Sequence, residues 1–300
     1  MNSTLVERTP VAYTVLFSAP QDSLPAQLPT PEEIEHSAVV IAQHRARCTA
    51  QLGSHYIVKF GTEVEPIEGE NMDFVRQQAP AVDIPKLYAI YQREVTPRTT
   101  ITYIIMENVG GESLDVLWGS LNAQGKTGIL NRVRDAYAKL REIRHLGYFG
   151  SINMTKPRDD IFWDDEPIRP DSGTFSTEAE FIQALVDRYL NHSGGIAPPK
   201  VEYHSRILPN TLKGTNEPVF THNGLKRTNI IVSADGRLVI LGWASAGWYP
   251  SYWEYSKALD LGGWTDDWHK CVGAVLEEYP NQHEWMGKLR SQLSSPKIVK

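Results

Sequence analysis

Leu130, Val133, Tyr137, Leu140 and Ile143 recur at intervals of three and four residues, which lays an apolar stripe along one face of an α-helix. Gly147 marks where that helix closes. Thr177 and Glu180 form a capping-box pair ahead of Phe181, Leu185 and Tyr189, and Gly194 ends the helix they predict. The earlier part of the chain reads differently. Tyr56 to Gly61 is a β-branched and aromatic run that predicts a strand, and residues 86–92 and 100–106 predict two more. A short helix is expected over 69–78. Residues 20–31, carrying Pro20, Pro25, Pro29 and Pro31, predict an irregular lead-in. Thr30 then caps a helix that starts at Pro31, with Glu32 and Glu33 at the positive end of its dipole. Late in the chain, residues 229–232 and 238–241 flank Asp235-Gly236, a strong hairpin signal.

Gly110-Gly111 interrupts the pattern where strands give way to helices, and the expected division is 1–107 and 108–300. Residues 150–175 are expected to form a long loop. Its acidic run (Asp159, Asp160, Asp164, Asp165, Glu166) is expected to be solvated.

Composition narrows the functional classes. The chain has 300 residues, 41% hydrophobic and 22% charged, enough for one large domain or two lobes. A formal net charge of -6, a pI near 5.9 and no basic stripe argue against a nucleic-acid partner. Cys48 and Cys271 are far apart and form no CxxC pair, which suits a reducing compartment. The opening residues hold no apolar core of signal-peptide length, and no long apolar run appears, so a cytoplasmic protein without membrane contact is expected. The nine histidines show no HExxH pattern, and no metal site is expected from them.

The segment His222-Asn223-Gly224-Leu225-Lys226-Arg227-Thr228-Asn229 resembles a phosphotransferase catalytic loop, His-x-Asp-(four residues)-Asn. Tyr56 to Gly61 with Lys59 looks like the kinase strand whose lysine grips nucleotide phosphates. Glu70 is similar to the glutamate that pairs with it. Residues 104–114, with Met106-Glu107 and Gly111-Glu112-Ser113-Leu114, resemble the hinge of the aminoglycoside phosphotransferase and choline kinase family, fungal members especially. Residues 247–255 resemble that family's Gly-Trp-Tyr-Pro-Glu-Tyr-Trp-Glu-Tyr segment. The likeness spans roughly residues 30 to 280. It implies an α+β, bilobal, protein-kinase-like fold with a small β-rich N-lobe and a larger helical C-lobe. It also implies magnesium-dependent transfer of the ATP γ-phosphoryl to small-molecule hydroxyls.

The departures fall on the chemistry. Gly224 stands at the place of the catalytic Asp, and Gly242 at that of the second metal-binding Asp. Ala244 follows Trp243 where the family has an acid. Between His36 and Tyr56 only Gly53 marks the region of a phosphate loop. An orienting carboxylate contributes about 10²–10⁴ in rate, and a metal ligand several kcal/mol of charge stabilisation, so phosphoryl transfer is expected to be lost.

What remains is a frame for other chemistry. A small organic molecule in the interlobe cleft is the expected ligand, with no cofactor. Lys59 and His222 are the candidate proton donors. Glu70, Met106, Glu107, Asn223, Lys226, Asn229 and Trp243 are the candidate lining residues. Lys226 with Arg227 is suited to grip a carboxylate or phosphate. The expected function is a metal-free cyclisation, isomerisation or pericyclic reaction in specialised metabolism. Two alternatives stand beside it: a pseudokinase-like binding or scaffold protein, and a residual small-molecule phosphotransferase. For each candidate a structural role is the competing reading: the Lys59 pair holding its helix, His222 and Asn229 bracing the loop. Trp243, Trp248, Trp253, Trp264 and Trp268 crowd one stretch, and loss of carboxylates beside Trp243 favours an uncharged ligand.

Overall fold

A computed structural model describes residues 12–162, 173–192, 198–262, 264 and 266–293. The chain divides into two compact units, Met1–Glu70 with Pro85–Val109, and Asn71–Ile84 with Gly110–Lys300.

The first unit is built on one antiparallel sheet. Its elements are β1 (Thr14–Ser18), α1 (Pro31–Ser37), β2 (Val39–His44), β3 (Arg47–Leu52), β4 (Tyr56–Gly61), the start of α2 (Ile67–Gln78), β5 (Leu87–Thr96) and β6 (Thr99–Glu107). The strand order is β1-β5-β6-β4-β3-β2. Ile34, Val58, Tyr103 and Ile105 pack on one another in its core and are 1% exposed or less. Helix α1 begins as its sequence dictates: Thr30 Oγ1 accepts from Glu33 N at 3.2 Å, and Thr30 N donates to Glu33 Oε2 at 2.8 Å. Strand β2 has no counterpart in the sequence reading. Every residue of it is exposed, so nothing forces apolar and polar positions to alternate.

In the second unit, β7 (Gly111–Ser113) and α3 (Leu114–Leu117) precede the long α4 (Ala123–Arg141). Then come α5 (Glu178–His192), α6 (Pro198–Thr211), β8 (Val219–Thr221), β9 (Ile230–Ser233), β10 (Leu238–Ile240), β11 (Gly247–Tyr249), α7 (Trp253–Gly262), α8 (Trp268–Val275) and α9 (Pro280–Leu293). The apolar stripe of α4 is buried at Val133, Tyr137 and Leu140, and Asn122 Oδ1 caps the helix by accepting from Gly125 N; the helix ends at Arg141, short of Ile143 and of the closure expected at Gly147. Thr177 Oγ1 accepts from Glu180 N, while the Glu180 carboxylate accepts from Ser176 N, one residue before the expected partner. Gly194 lies outside the described residues. The β9–β10 hairpin turns where Asp235-Gly236 predicts, with Gly236 at φ 83 and Leu238 opposite Val232. Strand β8 pairs with β11, and β9 also pairs with β7. Phe149, Phe181, Tyr249, Tyr252 and Trp253 form the aromatic heart of this unit.

The acidic run departs from expectation at Asp159. That side chain is 1% exposed, and it accepts from Arg290 (2.8 and 3.2 Å) and from Trp253 Nε1 (3.1 Å). Lys257 Nζ lies 3.5 Å away. Burial alone would raise its pKa. The charges of Arg290 and Lys257 and the hydrogen bonds from its neighbours outweigh burial and hold it well below the usual carboxylate range. Asp164, Asp165 and Glu166 lie outside the described residues. Among the described residues no helix is long and apolar enough to cross a membrane.

Candidate functional site

In the first unit, β4 carries Lys59 in register with Ile104 of β6. Its Nζ pairs with the Glu68 carboxylate on the first turn of α2. The partner expected from the sequence was Glu70. Residues two apart on a helix are set roughly 200° apart around its axis, so Glu68 and Glu70 lie on different faces of α2. Glu68 is 7% exposed. Met106 is buried in β6, with Ile57 on one side and Leu87 on the other. Glu107 closes the end of the sheet: its backbone N–H donates to Lys86 O at 2.8 Å, and its carboxylate accepts from Lys86 N at 3.1 Å. Both hinge residues are thereby committed to the sheet.

The loop of the second unit leaves β8 at Thr221, which β11 holds opposite Gly247. His222 follows, and its ring is sealed in the interior at 1% exposure. Nδ1 is hydrogen-bonded to Tyr137 OH at 2.7 Å, Nε2 to Leu241 O at 3.0 Å, and the ring lies 4.4 Å from that of Trp243. Both nitrogens are thus engaged inside the protein, the arrangement that the bracing role requires. Burial, with the Glu254 charge adding to it, pushes the Tyr137 phenol well above its ordinary value, so it stays neutral in this bond. Trp243 is likewise interior. It is fully buried, and its Nε1 donates to Ile240 O at 2.9 Å. Asn71, fully buried on α2, donates to Trp243 O at 2.7 Å and so fixes the turn that follows Gly242.

Asn223 takes a left-handed backbone (φ 63) and aims its amide inward. Nδ2 donates to Asp159 Oδ2 at 3.2 Å, with Ser245 O and Tyr249 OH each at 3.4 Å. Glu254, 1% exposed on α7, holds the loop backbone. Its carboxylate accepts from the N–H groups of Asn223 (2.8 Å), Gly224 (3.3 Å) and Leu225 (3.3 Å). The sequence reading gave neither Glu254 nor Asp159 a place in the site. Glu254 was legible only as the second acid of the Trp-Tyr-Pro segment, and Asp159 only as one of a charge run.

Asn229 joins the two glycines. Its Nδ2 donates to Gly224 O at 2.9 Å. A Cβ on Gly242 would lie 2.6 Å from that same Nδ2, and a Cβ on Gly224 would lie 3.3 Å from it. Gly242 itself is left-handed, at φ 85 and ψ 53. The Asn229 amide therefore fills the hollow that side chains at both positions would need.

The two cations of the loop diverge. Lys226 is half-buried and makes no ion pair among the described residues. Arg227 pairs with Asp266, with Asp267 at 3.8 Å and Asp115 at 4.0 Å. Its guanidinium also lies over the rings of Trp268 (5.3 Å) and Trp118 (5.5 Å). The cage leaves Arg227 structural and Lys226 the accessible charge. Of the expected residues, this loop brings together His222, Asn223, Lys226, Asn229 and Trp243. Lys59, Glu70, Met106 and Glu107 belong to the first unit, save that α2 continues past Glu70 into the second.

This loop, its β8–β11 clamp and the antiparallel sheet of the first unit define a phosphotransferase-type fold. The model of the phosphotransferase enzyme family matches residues 49–287, and the chain belongs to that family. No curated protein sequence matches. Solved structures share the fold at low identity. Aminoglycoside phosphotransferase APH(2'')-Ib, ADP-bound, is 15% identical with a TM-score of 0.57, over 90% of this chain and 92% of that one. The apo form of a thermostable mutant of APH(4)-Ia is 15% identical, with a TM-score of 0.53 over 87% and 86%. The gentamicin complex of APH(2")-IIa is 15% identical, with a TM-score of 0.52 over 89% and 88%. The expected α+β, protein-kinase-like fold is the one these proteins have.

Proposed function

We propose that this family member does not transfer phosphate and acts by binding a small organic molecule. The observation that carries the reading is Asn229, whose amide occupies the hollow between Gly224 and Gly242, where the resemblance sets two carboxylates. Magnesium does not fit this donor set. Neither glycine supplies a side-chain oxygen, and Asn229 turns its Nδ2 to Gly224 O, which leaves one amide oxygen for an ion that demands near-octahedral oxygen ligands. Phosphoryl transfer rests on positioned charge, and neither Gly224 nor Gly242 supplies it. Binding is favoured over catalysis because Lys59 is paired with Glu68 and both nitrogens of His222 are engaged. The fold is one in which relatives hold small molecules, as the ADP-bound and gentamicin-bound structures do.

The test is ATP turnover with magnesium, with aminoglycosides and simple alcohols as acceptors. ADP formation is expected to stay at the enzyme-free blank, and the thermal midpoint to stay unmoved by MgATP. Magnesium-dependent ADP formation that EDTA abolishes overturns the proposal. A second reading, a metal-free cyclisation or isomerisation, draws on Lys226, the loop cation without an ion pair among the described residues. Loss of substrate conversion in Lys226→Ala, with binding retained, would select it.

A further inference from the structure

A separate pocket of about 330 Å³ opens in the second unit behind α4, between that helix, β8 and the α8–α9 connection. Its walls are largely apolar, from Ala138, Val219, Val275 and Leu276 with the rings of Tyr137 and Tyr279. Arg134, Thr215 and Glu277 also line it, but Arg141 is the charged group enclosed there. The Arg141 guanidinium lines the pocket, makes no ion pair among the described residues, and has a single long hydrogen bond, to Ser251 O at 3.3 Å. A guanidinium offers five donors, and enclosing it without an anion is costly. Ser251, also on the wall, has its buried hydroxyl without a well-formed hydrogen bond. Ser251 stands where the resembled Trp-Tyr-Pro segment carries a glutamate, so the residue facing Arg141 has no carboxylate to offer.

We propose that this pocket binds a small monocarboxylate with an apolar body, its carboxylate on Arg141 and Ser251. Two arginines line the pocket, but Arg134 is exposed and turned to Asn131, so Arg141 is the enclosed cation. Arg141 lies at the wall, while the exposed Glu277 carboxylate stands at the rim, where it accepts from Tyr279 OH at 2.8 Å and repels a second anion. Burial pulls the Arg141 guanidinium below its ordinary value, with the Glu254 charge the largest opposing influence. Glu254 is itself occupied by the loop N–H groups, so Arg141 keeps hydrogen-bond donors that an incoming carboxylate can take up. The volume lies at the small end of ligand pockets and suits a compact molecule. The site also touches the loop: Tyr137 lines the pocket and bonds to His222.

Titration calorimetry on the whole chain with benzoate, benzamide and inorganic phosphate tests it. Benzoate is expected to bind with a Kd at or below about 1 mM, and benzamide and phosphate at least about tenfold more weakly. Arg141→Gln is expected to weaken benzoate about 10- to 100-fold. Ala138→Phe places a ring in the pocket from an exposed helix position. It is expected to abolish binding with the thermal midpoint unchanged, and so decides the question if the arginine variant fails to fold. Absence of saturable benzoate binding up to about 10 mM overturns the proposal. So does benzoate affinity that Ala138→Phe leaves intact, or benzamide binding as tightly as benzoate.

Discussion

Returning a carboxylate to position 242 is expected to destabilise the protein through Asn229, and the size of the effect follows from two local costs. Gly242 is left-handed at φ 85 and ψ 53, a conformation that costs most residues roughly 1–2 kcal/mol and Asp toward the lower end. The new Cβ would fall 2.6 Å from Asn229 Nδ2, so that amide must swing away and give up its bond to Gly224 O, worth about 1 kcal/mol. Gly242→Asp should therefore cost about 2 kcal/mol, the sum of strain and the lost bond. Asn229→Ala alone removes the same bond and should cost about 1 kcal/mol. In the double variant the bond is lost only once, so the total is expected near 2 kcal/mol and not 3, a coupling of about 1 kcal/mol. Equilibrium urea unfolding followed by tryptophan fluorescence measures all three. Costs that add to within about 0.3 kcal/mol would show that Asn229 does not fill the hollow, and the central support for a lost phosphotransferase would go with it. Gly224→Asp added to Gly242→Asp should yield no ATP turnover, since its Cβ would lie 3.0 Å from His222 Cε1 and 3.3 Å from the same Asn229 amide.

Two further outcomes follow from the buried acids. Asp159→Asn should cost about 3–5 kcal/mol at pH 7, because it leaves Arg290 and Lys257 facing a neutral group. A carboxylate with a depressed folded pKa stabilises fully above its unfolded value and loses this as pH falls through the folded one. The gap between wild type and variant in urea unfolding should thus be constant above about pH 5 and narrow below about pH 4; a gap unchanged at pH 3 refutes the assignment. Glu254→Gln turns an amide NH₂ toward backbone donors, and a loss of about 2–4 kcal/mol is expected. A thermal midpoint within 1 °C of wild type would mean that the loop is held by other contacts.

The sequence by itself determined the elements whose signals are local. The α4 stripe from Leu130 to Leu140, the Thr30 capping box, the β4 strand and the Asp235-Gly236 turn are set by neighbours within a few residues, and each forms where its pattern places it. The order of Lys59, the hinge, His222 to Asn229 and the Trp-Tyr-Pro segment was also enough to reach the family. Strand β2 was illegible because an edge strand exposed at every position carries no alternation, and α6 because Pro209 interrupts its helical pattern. The roles of individual residues were decided only in three dimensions. Lys59 met Glu68 through the facing of α2, and His222 was bonded to Tyr137 and Leu241, the first far off along the chain. Asp159 passed from a charge run to a buried ion pair because Arg290 on α9 came to meet it. Hydrophobic period and turn chemistry act through near neighbours, whereas burial and charge pairing depend on residues that only folding brings into contact.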